Sequence, residues 1–120
     1  MGQIKSFRDL EIWKNGVELV TQIYGLSDAF PKDERYGLIS QMRRAAVSVP
    51  SNVAEGFRRR HSGEFKQFLN IALGSLAELE TQFVIARKLK YVAAGAEEEV
   101  LERIDHLNRM IVTLSKKVVC

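Results

Sequence analysis

One stretch of this chain repeats its apolar side chains at helical spacing without interruption. Phe65, Phe68, Leu69, Ala72, Leu76, Leu79, Phe83 and Ala86 recur every three or four residues and form a single stripe over about six turns of α-helix. Such a stripe is stable in water only when other elements cover it. Ser62 is placed to cap this helix, and Glu64 suits the positive end of its dipole. The pattern predicts a helix over about 63–92, ending before Gly95.

Three further segments carry the same period, over about 9–29, 34–59 and 96–118. The second has a seam of Ile39, Met42, Ala46, Val49 and Val53. The fourth opens on Glu97, Glu98 and Glu99 and buries Val100, Ile104, Leu107, Ile111, Leu114 and Val118. No segment reads as a strand. Connections of roughly 2–8 residues between long helices make consecutive helices antiparallel neighbours. The expected fold is therefore all-α: one domain over 1–120, folded as an antiparallel up-down left-handed four-helix bundle.

Two helices depart from the simple pattern. In the first, Leu10, Trp13, Val17, Val20 and Tyr24 form one stripe, and Ile12, Leu19, Ile23 and Leu26 form another. Together they cover roughly 200°, whereas facing one core needs little more than about 100°. Either the helix is surrounded on most sides within the bundle, or the stripe Ile12, Leu19, Ile23 and Leu26 is an oligomer interface. In the second helix, Pro50 lies inside the seam. Proline removes one backbone donor and its ring clashes with the carbonyl of Ala46, which predicts a kink. The alternative is a full break, with Asn52 and Glu55 at capping-box spacing. The seam keeps phase across Pro50, which favours the kink.

Composition narrows the function. Apolar residues make up 46% and charged residues 28%, enough for both a core and a soluble surface. No apolar run approaches the ~20 residues of a membrane span, and Met1 to Asp9 lack the apolar core of a signal peptide. Cys120, the single cysteine, allows no intrachain disulfide. A cytoplasmic protein without a membrane partner is expected. His61 and His106 have no second ligand at metal spacing, so no metal and no cofactor are expected. Arg103 and His106 are too close in sequence for the spaced Arg/His pair of small helical ribonucleases, and Cys120 is a poor nucleophile at a terminus. Glu55, Glu78 and Glu80 lie amid apolar residues, placed to pair with Arg43 or Arg44 across a helix interface. Such a pair is more often structural than catalytic. No catalytic residue emerges, and the protein reads as a non-enzyme.

The formal charge is only +3, but its placement is uneven. In an up-down bundle the start of helix 1, end of helix 2, start of helix 3 and end of helix 4 share one pole. That pole gathers nine cations (Lys5, Arg8, Lys14, Arg58, Arg59, Arg60, Lys66, Lys116 and Lys117) and four anions (Asp9, Glu11, Glu55 and Glu64). Its local balance is +5, which leaves −2 for the rest. Concentrated positive charge is what a phosphate backbone selects. The candidate nucleic-acid-binding residues are Arg58, Arg59, Arg60, Lys66, Lys14, Lys116 and Lys117. The competing explanation is that cations simply favour helix C-termini. Phe7 and Phe57 are the only aromatic candidates for base stacking, so recognition of backbone and shape is expected over sequence.

The segment Phe7-Arg8-Asp9-Leu10-Glu11-Ile12-Trp13-Lys14 resembles the opening of the four-helix-bundle proteins encoded in intervening sequences of bacterial 23S rRNA genes. The resemblance continues in Gln41-Met42-Arg43-Arg44-Ala45-Ala46-Val47-Ser48-Val49-Pro50-Ser51-Asn52-Val53-Ala54-Glu55-Gly56 and in Phe68-Leu69-Asn70-Ile71-Ala72-Leu73-Gly74-Ser75-Leu76-Ala77-Glu78-Leu79-Glu80-Thr81-Gln82. It spans roughly residues 7–115, with helix 4 matching by pattern more than by motif. It implies a cytoplasmic bacterial protein with Pro50 accommodated inside helix 2, and a ring-shaped homo-oligomer, a homopentamer. The related accessory proteins of diversity-generating retroelements form such rings and engage nucleic acid and a reverse transcriptase through basic surfaces. The family supplies no catalytic residue to carry over. The function expected is binding of structured RNA or other nucleic acid (RNA or DNA) by an oligomer. The alternative is a protein–protein interaction hub whose charges only keep it soluble.

Overall fold

The computed structural model describes residues 3–93 and 95–118; Cys120 lies outside them. Four helices account for most of these residues: α1 (Glu11–Ser27), α2 (Leu38–Arg58), α3 (Ser62–Lys88) and α4 (Ala96–Lys117). Short 3-10 turns at Phe7–Asp9 and Lys32–Glu34 precede α1 and α2, and no strand occurs among the described residues. The helices pack in ring order, each on its chain neighbour and α1 also on α4. The α2–α3 seam is the most extensive and the α1–α4 seam the least. The result is an elongated four-helix bundle of 44 × 27 × 20 Å.

The core is built from the predicted seams. Met42, Val49 and Val53 of α2 meet Leu69, Leu76 and Phe83 of α3 and Ile104, Leu107 and Ile111 of α4, all with 0–1% exposure. The apolar face of α3 is turned inward. By length and composition α3 is long and apolar enough to cross a membrane, but here its stripe is covered by the other helices.

Helix α1 corrects an expectation. Ile12, Leu19 and Ile23, read as an oligomer interface, are 4%, 0% and 0% exposed within the single chain, and Leu26 packs half-buried against the same core. Ile12, Leu19 and Ile23 have almost no surface left to offer a second subunit. The buried face of α1 is Ile12, Gly16, Leu19, Ile23 and Ser27. Two of its five members are small or polar and do not register as apolar. A Cβ on Gly16 would stand 3.2 Å from the Pro50 Cβ, so the missing side chain lets α1 and α2 approach. Ser27 Oγ accepts a 2.8 Å hydrogen bond from Arg43 Nε. The bulkier Trp13, Val17 and Val20 remain half-buried, and Tyr24 is exposed.

Helix α2 runs unbroken from Leu38 to Arg58 with the buried Pro50 inside it, which rules out the break at Asn52. Asn52 is not a cap. Its Nδ2 donates back to the Ser48 carbonyl at 2.7 Å and to Ser48 Oγ at 2.8 Å, and Ser48 Oγ shares a 2.8 Å hydrogen bond with Ser75 Oγ of α3.

Several helix ends also differ from the sequence pattern. Asp9 belongs to a capping box on the 3-10 turn before α1: Ser6 Oγ accepts from Arg8 N–H, and Asp9 Oδ2 accepts from the Lys5 and Ser6 N–H groups. Helix α2 begins at Leu38 with Gly37 at its cap position, and Glu34 accepts from Leu38 N–H at 3.1 Å and from the Tyr91 hydroxyl at 3.0 Å. Ser62 is the first residue of α3, and His61 stands at the cap without a side-chain bond. Helix α3 stops at Lys88, several residues early, because Lys90 turns left-handed (φ 65°). Tyr91 N–H then reaches Ala86 O and Lys90 N–H reaches Arg87 O, both at 2.9 Å. This is the Schellman pattern, in which glycine is the usual left-handed residue.

Candidate nucleic-acid interface

The segment before α1 lines two pockets, one with the α2–α3 corner and one with the end of α4. The C-terminal end of α2 and the first turn of α3 enclose a cleft of about 750 Å³ with the segment that precedes α1. Its floor is Phe7, Phe57 and Phe65, all half-buried. Its rim carries Lys5, Arg58, Arg60 and His61, all exposed, and no carboxylate is among its lining residues.

Gly56 sets the geometry of the α2–α3 corner. A Cβ there would fall 2.6 Å from Phe68 Cβ and 3.1 Å from Phe65 Cδ1. Without a side chain, α2 can sit close over the first turns of α3, and Phe65 meets Phe57 edge to face with centroids 5.9 Å apart. Arg60 then reverses the chain in a left-handed conformation (φ 57°), a backbone region that costs a non-glycine residue strain. The first helical bond of α3 runs from Phe65 N–H to His61 O. The three N–H groups before it lie outside the helical ladder at the positive end of the dipole.

The three consecutive arginines have different surroundings. Arg58 lies over the Phe7 ring, its guanidinium 5.3 Å from the centroid. Arg59 is committed to structure: it bonds Glu55 at 3.1 Å, faces Glu64 at 3.8 Å and covers the Phe68 ring at 5.2 Å. Arg60 projects into the cleft rim. Among the described residues no carboxylate pairs with Arg58 or Arg60.

The remaining candidates are spread more widely. Lys14 and Lys117 line a second groove of about 880 Å³ between the start of α1 and the end of α4. That groove has mixed charge, because Asp9 and Glu11 share it with Arg109 and His106, and Lys14 bonds Glu11 at 3.3 Å. Backbone N–H bonds from Lys5 and Ser6 hold the Asp9 carboxyl below its ordinary pKa. Lys116 is exposed on the last turn of α4 and Lys66 is half-buried; neither lines the basic cleft. Conversely, Lys5 and His61 belong to the cleft and were not among the candidate site residues. The position of His61 next to Arg60 at the helix corner is the sequence signal for its place in the cleft.

The carboxylates weighed for cross-helix pairs are placed otherwise. Glu55 pairs with Arg59 on its own helix, while Glu78 and Glu80 are exposed. Arg43 instead binds the C-terminus of α1 through Ser27 Oγ, the Tyr24 carbonyl and Asp28. Among the described residues, no three His, Cys, Asp or Glu side chains stand close enough to hold a metal ion.

Fold and pole together define a class: a small all-α bundle whose helix termini frame a basic, aromatic-floored cleft. Within that class, the chain belongs to the 23S rRNA-intervening sequence protein family, whose sequence profile matches residues 8–113. Its fold is similar to the crystal structure of a protein of unknown function from the S23 ribosomal protein family of Bacteroides thetaiotaomicron, with a TM-score of 0.79 and 18% identity over 88% of this chain and 95% of that one. At that identity the likeness speaks for the fold alone. A comparison with curated proteins gives no match.

Proposed function

We propose that this chain is a non-enzymatic, ring-forming cytoplasmic protein that binds structured RNA or other nucleic acid through its basic pole. The observation that carries this reading is the cleft rim, where Lys5, Arg58, Arg60 and His61 stand together with no carboxylate among the lining residues. Helix capping alone does not require that arrangement. Capping asks only for a cation in the last turn and does not call for the acid-free grouping of several cations around one cleft. Arginine forks hold phosphate oxygens in bidentate fashion, and repetition around a ring raises avidity without new contacts.

The test is titration of wild type and the Arg58→Gln/Arg60→Gln double variant onto structured RNA at two salt concentrations. The variant should bind weaker by a similar factor on every sequence and show a flatter salt slope, by roughly one unit per lost phosphate contact. Arg59→Gln should leave the slope unchanged. Equal binding by wild type and double variant would instead favour the protein–protein hub. Sedimentation checks the ring: a mass near 13.6 kDa would end that part of the proposal.

A further inference from the structure

Phosphate binding explains the rim of the cleft but not its floor. A duplex backbone is met by a flat or convex basic surface, and it gains nothing from phenylalanine rings. Here Phe7, Phe57 and Phe65 line a recess of about 750 Å³, a volume in the range of small-molecule sites and too small to take in a duplex. None of the three rings is fully covered by the protein's own core. The Phe57 and Phe65 rings lie 82° apart, so an edge of one points at the face of the other. Arg58 already covers Phe7 with its planar guanidinium, the kind of group on which a base also stacks.

Resting on the nucleic-acid reading above, we infer that this cleft takes a single unpaired nucleotide of an RNA, with the base against the phenylalanine floor and its phosphate on Arg58 and Arg60. The chemistry of the two levels matches the two halves of a nucleotide. The floor is apolar and aromatic, and stacking there tolerates any base because every base has a π-face. The rim is cationic, and the uncommitted N–H groups of the first turn of α3 open beside it at Ser62. Specificity is therefore for an unstacked nucleotide at an end, bulge or loop, and not for a sequence.

The experiment compares RNA duplexes of one sequence by fluorescence anisotropy: blunt, with one unpaired terminal nucleotide, and with an abasic residue in that position. The unpaired nucleotide should tighten binding about tenfold over the blunt duplex, in line with one stacked base. The abasic residue should return it to the blunt value. Phe57→Leu and Phe7→Leu should each shrink the preference and leave blunt-duplex affinity in place, whereas Arg58→Gln/Arg60→Gln should weaken all three duplexes. Equal wild-type affinity for blunt, abasic and unpaired forms overturns the inference while leaving the basic-pole reading intact. Absence of binding to every duplex overturns both. Displacement of RNA by micromolar nucleoside monophosphate would assign the cleft to a free nucleotide and overturn the inference as stated.

Discussion

The two ends of α2 each present arginine beside an aromatic ring, and they use it in opposite ways. Near the start of the helix, Arg43 stacks 4.4 Å from the Tyr24 ring and spends its donors on Ser27 Oγ, the Tyr24 carbonyl and Asp28. It ties α2 to the C-terminus of α1, where the Tyr24 carbonyl also accepts from Asp28 N–H. At the other end, Arg58 stacks on Phe7 and Arg60 follows in a strained turn, and neither pairs with a carboxylate among the described residues. Residue type and aromatic neighbour are shared; what differs is whether the protein itself has used the hydrogen-bond donors. A satisfied arginine is part of the fold, while an unsatisfied one at a cleft rim is available to an anion.

The largest effect expected from this contrast is on stability. Arg43→Ala should destabilise the bundle by about 2 kcal/mol, mostly through the charge-assisted bonds to Ser27 and the Tyr24 carbonyl. The exposed Asp28 contributes little to that figure. Arg58→Gln should cost less than about 1 kcal/mol, the scale of an exposed cation–π contact. Urea denaturation of the two variants measures both, and similar losses would erase the distinction between the ends of α2.

A smaller effect should run the other way. Arg60 holds a left-handed backbone that costs an ordinary residue roughly 1–2 kcal/mol, and glycine gives back part of that relief as conformational entropy. Arg60→Gly should therefore raise stability by about 0.5–1 kcal/mol and weaken RNA binding at the same time. A variant that binds RNA as well as wild type would remove Arg60 from the cleft's working residues.

The smallest effect is a pH dependence at the edge of the cleft. The ionised Asp9 carboxylate accepts the Lys5 and Ser6 N–H groups, which lowers its pKa from 3.8. A lowered carboxylate stabilises the folded turn fully above its ordinary pKa and stops doing so as pH falls through the lowered value. The Lys5 and Ser6 amide resonances should shift together on acidification from about pH 5 to pH 2, and Asp9→Asn should abolish that shift. Amides that titrate identically in the variant would place the cause elsewhere.

Much of the fold was legible because α3 and α4 obey the simplest rule: bulky apolar residues face inward at helical spacing. Helix α1 was misread where that rule is least literal. Gly16 and Ser27 complete its buried face, one by having no side chain where Pro50 approaches and the other by binding Arg43. Counting only bulky apolar residues left open whether Ile12, Leu19 and Ile23 face the core or a second subunit. The end of α3 was misplaced because Lys90 takes a conformation that sequence signals assign to glycine. At the pole, net charge was readable but pairing was not. Arg58, Arg59 and Arg60 look alike in sequence, and only the placement of Glu55 and Glu64 separates Arg59 from its neighbours. Phe7 and Phe57 of the aromatic floor were legible as stacking candidates, but Phe65 was not, because it sits in the clearest core stripe and nothing local reveals that its ring stays half-open to a cleft.

The unequal seams of the bundle carry a consequence for the order of folding. The most extensive interface joins α2 and α3, which are consecutive and linked by a turn of three residues, so forming it closes a short loop at little entropic cost. The least extensive joins α1 to α4, the two helices farthest apart along the chain, and must wait for the rest. Phe57, Arg58, Arg60, His61 and Phe65 all ride on the early hairpin, and only the segment before α1 completes the cleft from outside. Opening of the α1–α4 seam would thus expose the mixed-charge groove first and leave most of the aromatic recess assembled.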